Sequence, residues 1–217
     1  MAEIIDIDIG AFDPTVSSFM MDVMERCRSS GVALRLTDTS TVAVNGLECG
    51  GYFNDLPPKF VVACGRSPKT WLGVFVHESC HMDQWLESAE VWEYKIPGTD
   101  EHPSDLFDGW LNREMELDGD TKDRVVESLV NLELDCERRS ADKIAKYNLP
   151  VRLDTYIRKS NAYIWSYRFM AETRDWDHGD AYTIPAVWRA MPNHFDNDYG
   201  MLPDRIRDVF IGNVRSR

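Results

Sequence analysis

Residues 77–81 read His-Glu-Ser-Cys-His and follow directly on the apolar run Val74-Phe75-Val76. On an α-helix, side chains four residues apart share a face, so His77 and His81 can offer two imidazole nitrogens to one cation. Zinc suits such a pair, because tetrahedral zinc sites are built from histidine nitrogens, thiolates and carboxylates. Glu78, next to the first histidine, is then placed to take a proton from a water held at the metal. The chemistry these types and spacings can do is metal-assisted hydrolysis. The chain contains five histidines, so two of them flanking a glutamate in this register is a specific signal.

A catalytic zinc usually takes three protein ligands and keeps one position for water. Six residues after His81 stands Glu87, but the intervening turn position is Gln84 and not glycine. The helix is expected to continue there, and Glu87 cannot fold back. A later helix offers a better donor. Its apolar stripe runs Val125, Leu129, Leu132, Cys136, Ser140 and Ile144. Glu133 falls inside that stripe, about 40° from Leu129, and Glu137 lies on its flank. A carboxylate facing a core needs a partner, because burial alone is costly. That partner is a metal ion or a buried cation such as Arg168. On the residues alone, either Glu133 or Glu137 can be the third ligand.

The two segments together resemble the zincin superfamily of metallopeptidases, and within it the gluzincins, whose third ligand is a glutamate on a later helix. Glu133-Leu134-Asp135-Cys136-Glu137-Arg138-Arg139-Ser140 is similar to the second motif of that group. The resemblance implies that Glu133 binds zinc and that Glu137 orients a zinc-bound histidine by accepting its other ring proton. That role fixes the tautomer and raises ligand basicity. The chain departs from the pattern in having Glu where the orienting acid is Asp. The resemblance covers residues 41–90 and the second motif, not residues 96–119 or the tail after Arg174.

These residues need elements to position them. Helical spacing of Val16, Phe19, Met20, Val23 and Met24 predicts a helix over 14–30. Strands are expected at 32–36, 41–44 and 59–64. Asn45-Gly46 reads as a tight turn leading into an edge strand over 47–53. Ser67-Pro68 opens the motif helix, roughly 69–90. On its wheel Leu72, Phe75, Val76, Ser79 and Leu86 form the buried side and the two histidines face away from it. Residues 96–119, rich in Pro, Gly, Asp and Asn, read as a loop-rich insertion. Asp120 or Thr121 is expected to cap a helix running to about 148, and another helix spans 153–173. The fold expected is α+β and zincin-like, a single domain over 1–217. In it a small twisted sheet packs on the motif helix, and a helical C-terminal half brings in Glu133.

Composition narrows the partners. With 24 basic and 37 acidic residues, the net charge is −13. That excludes a basic nucleic-acid-binding surface and disfavours anionic membranes. No apolar run approaches the ~18 residues of a membrane span. The start, Met1-Ala2-Glu3-Ile4-Ile5-Asp6, is acidic and unlike a secretory signal. The five scattered cysteines fit a reducing cytoplasm better than a disulfide framework.

The activity expected is zinc-dependent hydrolysis of peptide bonds, with Zn2+ on His77, His81 and Glu133 and Glu78 as general base. An extended peptide or protein substrate is expected to pair with the strand around Gly50, Gly51 and Tyr52. Hydrolysis of a small amide, a regulatory protein that keeps the fold without turnover, and a structural zinc domain are the competing readings. Cys49 and Cys64 are upstream thiols that a zinc could also use, and His178 and His194 are the remaining loop imidazoles. Tyr163, Tyr167 and Arg168 are candidates for donating to an oxyanion. Asp118-Gly119-Asp120 reads as a helix cap and not a calcium loop.

Overall fold

The computed structural model describes residues 4–44, 46–176 and 182–213. His178 lies outside these. Helix makes up about 59% of the described residues and the sheet is small and mixed, so the class is α+β. The chain divides into two compact units, residues 1–89 with 139–152 and residues 90–138 with 153–217. One long helix contributes to both.

The first unit is built on four strands: β1 (Ile4–Ile5), β2 (Ala33–Thr37), β6 (Pro58–Ala63) and β5 (Gly51–Asp55), in that spatial order. β1, β2 and β6 are parallel, and β5 runs antiparallel to β6. β3 (Val42–Val44) and β4 (Leu47–Cys49) form a separate hairpin. The expected single edge strand over 47–53 is therefore two strands in two sheets, parted at Gly50. Close packing demands glycine there. A Cβ on Gly51 would lie 2.8 Å from the Val61 carbonyl oxygen and 3.0 Å from a Val74 methyl, and one on Gly50 would lie 3.2 Å from Val74.

Helix α1 (Pro14–Ser29) starts where the Asp13 carboxylate accepts from the Thr15 amide and Pro14 takes the first helical position. α2 (Pro68–Leu86) carries the motif and packs on β5 and β6. Phe75 of α2 sits edge-on to Phe19 of α1 and Phe60 of β6, with centroids 5.7 and 5.2 Å away. All three rings are fully buried. α2 is not the half-exposed helix expected from its wheel. Cys80, Met82 and Gln84, off the apolar stripe, are buried too, whereas Leu86, expected inside, is 36% exposed. The helix stops there because Glu87 caps it and Ser88 turns left-handed at φ 50°.

The second unit is helical: α3 (Glu90–Glu93), α4 (Pro103–Leu111), most of α5 (Gly119–Lys146), α6 (Leu153–Thr173), α7 (Pro185–Ala190) and α8 (Asp204–Asn213). α4 corrects the expectation of a loop over 96–119. Its proline is at the first helical position, where a missing N–H costs nothing, and His102 Nδ1 caps it by accepting from the Ser104 amide at 3.2 Å. Leu106, Phe107, Trp110 and Leu111 of α4 join Val125, Leu129, Trp165, Phe169 and Phe210 in the core. The cap of α5 is Asp118, upstream of both expected residues. Its carboxylate accepts from the Thr121 amide and hydroxyl at 2.9 and 2.7 Å, which holds its pKa down.

Candidate metal and hydrolytic site

In the first unit, α2 sets its histidines in a defined relation. Nε2 of His77 and Nε2 of His81 point at one another 3.1 Å apart, with the rings nearly perpendicular. His81 Nδ1 lies 2.8 Å from Gln84 Oε1, one turn on. An amide oxygen only accepts, so Nδ1 carries the proton and Nε2 presents its lone pair toward His77. Two Zn–N bonds of about 2.0–2.1 Å at a tetrahedral angle place the nitrogens about 3.3 Å apart. The donor set therefore fits zinc. Gln84 thus orients the His81 ring, a contact to which the sequence motifs did not point. His81 is 9% and Glu78 8% exposed, so neither is a casual surface group.

The sheet brings its edge to the same helix. Ala63 N–H donates to Gly50 C=O at 2.9 Å, and the register pairs Gly51 with Val62 and Tyr52 with Val61. In an antiparallel ladder alternate residues bond to the partner strand. Gly50, Tyr52 and Asn54 thus turn their amides toward β6, and Gly51, Phe53 and Asp55 turn theirs outward. β5 is the last strand of its sheet among the described residues. Of Gly50, Gly51 and Tyr52, only Gly51 turns its backbone away from β6, and Phe53 does the same two residues on.

Cys49, just before this edge, has its thiol pKa raised by burial and then by the Glu78 carboxylate, against an opposing Gly51 N–H. Cys64 is pushed up to about 12 by burial and Asp38, so it is a protonated core thiol. Glu87, the acid in the compact-motif position, pairs with Arg139 at 2.7 Å.

The last turns of α5 are fixed to α2 within this unit. Ser140 Oγ donates to Cys80 Sγ at 3.3 Å, and Lys143 Nζ reaches Ser79 Oγ at 2.8 Å and Asp83 at 2.7 Å. Asp83 also pairs with Arg26 of α1. The face of α5 that meets α2 is thus the one carrying Ser140.

In the second unit, Glu133 is 6% exposed and Glu137 5%. Tyr163 and Tyr167 of α6 bring their hydroxyls to Glu133 Oε1 at 3.3 and 3.2 Å, and lie 3.0 Å from each other. Burial, then the neighbouring Glu133 carboxylate, raises both phenol pKa values well above the usual range, so both remain hydrogen donors. Ser160 Oγ donates to Glu137 at 2.6 Å. Arg168, the cation weighed as a partner for Glu133, instead donates to the Tyr199 carbonyl at 2.8 Å beside Glu127, Asp123 and Asp198. His194 contributes its carbonyl to the Asn161 side chain at 2.9 Å.

No protein-family model, curated protein or solved structure matches this chain. None of the described helices is long and apolar enough to cross a membrane.

Proposed function

We propose that the chain is a zinc-dependent hydrolase of the zincin type that cleaves peptide bonds, with His77, His81 and Glu133 holding the metal. The observation that carries the reading is the convergence of the two Nε2 atoms at 3.1 Å, with Gln84 fixing the tautomer that leaves His81 Nε2 as a donor. When bound, zinc lowers the pKa of a coordinated water toward ~7 and polarises a carbonyl. Glu78 takes a proton from the attacking water and passes it to the leaving amine nitrogen. Its burial on α2, beside the two histidines in sequence, supports that role. The outward amide and carbonyl of Gly51 and Phe53 pair with an extended peptide, which favours a peptide over a small amide. The five cysteines form no disulfide, which supports a reducing compartment such as the cytoplasm.

One observation favours a second reading. Cys136 is fully buried three residues after Glu133 on the same face of α5, and His77, His81, Glu133 and Cys136 make up a candidate donor set. Four protein ligands would close the site and make the zinc structural. Digestion of an unstructured protein, with and without a zinc chelator, separates the two. Cleavage that stops on chelation and returns with zinc supports the hydrolase. Zinc retained at one per chain with no cleavage of any substrate supports the closed site.

A further inference from the structure

We infer that Tyr163 and Tyr167 are positioning residues that lock Glu133 as a one-oxygen ligand, committing Oε1 to the phenols and directing the metal to Oε2. The inference rests on the metal reading above. It uses contacts made entirely within the second unit. The three oxygens, two phenolic and one carboxylate, lie 3.0, 3.2 and 3.3 Å from one another. Three contacts share two protons. In every arrangement that uses both protons within the cluster, Oε1 therefore receives at least one hydrogen bond, and in one arrangement it receives two. A carboxylate oxygen has two in-plane lone pairs; the phenols fill one of them in every such arrangement and both when each donates to Oε1.

The phenols are themselves held. They stand one turn apart on α6, so their spacing is set by the helix. Tyr167 packs on Phe107 at 5.9 Å, and Tyr163 on Tyr182 at 5.4 Å. Ser166, between them in sequence, is tied back to the Tyr163 carbonyl at 2.6 Å. A carboxylate clamped this way is arranged before any metal arrives, and it cannot rotate to chelate with both oxygens.

The test uses the full chain loaded with Co2+ in place of zinc, in wild type, Tyr163→Phe, Tyr167→Phe, the double variant and His81→Ala. Phenylalanine keeps the ring packing and removes only the hydroxyl. Two readouts are taken: Zn2+ affinity by chelator competition, and the intensity of the cobalt visible bands, which falls when coordination rises from four to five. Each single variant is expected to weaken zinc binding several-fold and the double variant by about 10–100-fold. The cobalt bands of the double variant should weaken as Glu133 becomes two-oxygen. Wild-type affinity and bands in the double variant, with metal lost in His81→Ala, overturn this inference and leave the metal reading standing. Wild-type protein that takes up neither metal overturns both.

Discussion

The imidazole pair of the first unit, His81 buried and His77 half-buried, and the buried carboxylate of the second are built by opposite means. His77 and His81 have partners three and four residues away in sequence, on α2 itself. Glu133 is arranged by residues 30 and 34 positions later, on another helix. The first kind of arrangement forms with the helix. The second forms only when α5 and α6 pack. The histidines are therefore expected to tolerate changes elsewhere in the fold, and Glu133 to depend on the packing of its own unit.

The largest effect expected is on metal content. His81→Ala should lose the stoichiometric zinc found in wild type, measured by elemental analysis of the purified proteins. Glu133→Ala should lose it too, whereas Glu137→Ala should weaken affinity by about 10–100-fold, as groups that act through a ligand do. Zinc lost from Glu137→Ala and kept by Glu133→Ala would move the ligand one turn along α5. It would also make the Ser160–Glu137 contact the relevant support.

Next comes turnover. Glu78→Gln keeps shape and burial but cannot take a proton. Peptide hydrolysis should fall by about 10²–10⁴-fold with zinc content unchanged. Unchanged hydrolysis would place the base elsewhere.

These contrasts explain what was readable in the sequence. The helix over 153–173 and the start of α1 at Pro14 agree with their expected bounds because caps, prolines and periodicity are local signals. α4 was hidden because Pro103 and Gly109 read as breakers. Yet proline at a first turn is an opening signal, and Leu106, Phe107, Trp110 and Leu111 already had helical spacing. The break at Gly50 and the burial of α2 on nearly every side depend on what packs against them, which no window of residues reports. The same holds for the tyrosines on Glu133. Their positions four apart on α6 were visible, but their target was not. Gln84 was legible in principle, since an amide three residues after a metal-type histidine can reach its Nδ1.

A smaller effect sharpens the local half of the comparison. Gln84→Leu removes the acceptor for His81 Nδ1 and frees the ring to take the other tautomer. Zinc affinity should drop by about 10–100-fold, read by chelator competition. Gln84→Glu keeps an acceptor at that position and should match or exceed wild-type affinity. Wild-type affinity in Gln84→Leu would mean that another group orients the ring.

The smallest effect concerns the packed unit. Burial, and secondarily Asp105, pushes the Asp108 carboxyl up to about 6. A folded pKa above the unfolded value of about 4 means the group favours the fold when protonated. That contribution is complete below pH ~4 and is lost as pH rises through ~6. Asp108→Asn should therefore be the more stable protein above pH ~6, with the gap closing below pH ~4, in thermal melts across that range. A gap independent of pH would show that the carboxyl is not linked to folding.

X-ray absorption at the zinc edge of the purified protein tests the central assignment most directly. The account predicts a first shell of nitrogen and oxygen at about 2.0–2.1 Å, with the outer scattering of two imidazoles. A sulfur neighbour at about 2.3 Å would place Cys136 on the metal and contradict the open hydrolytic site.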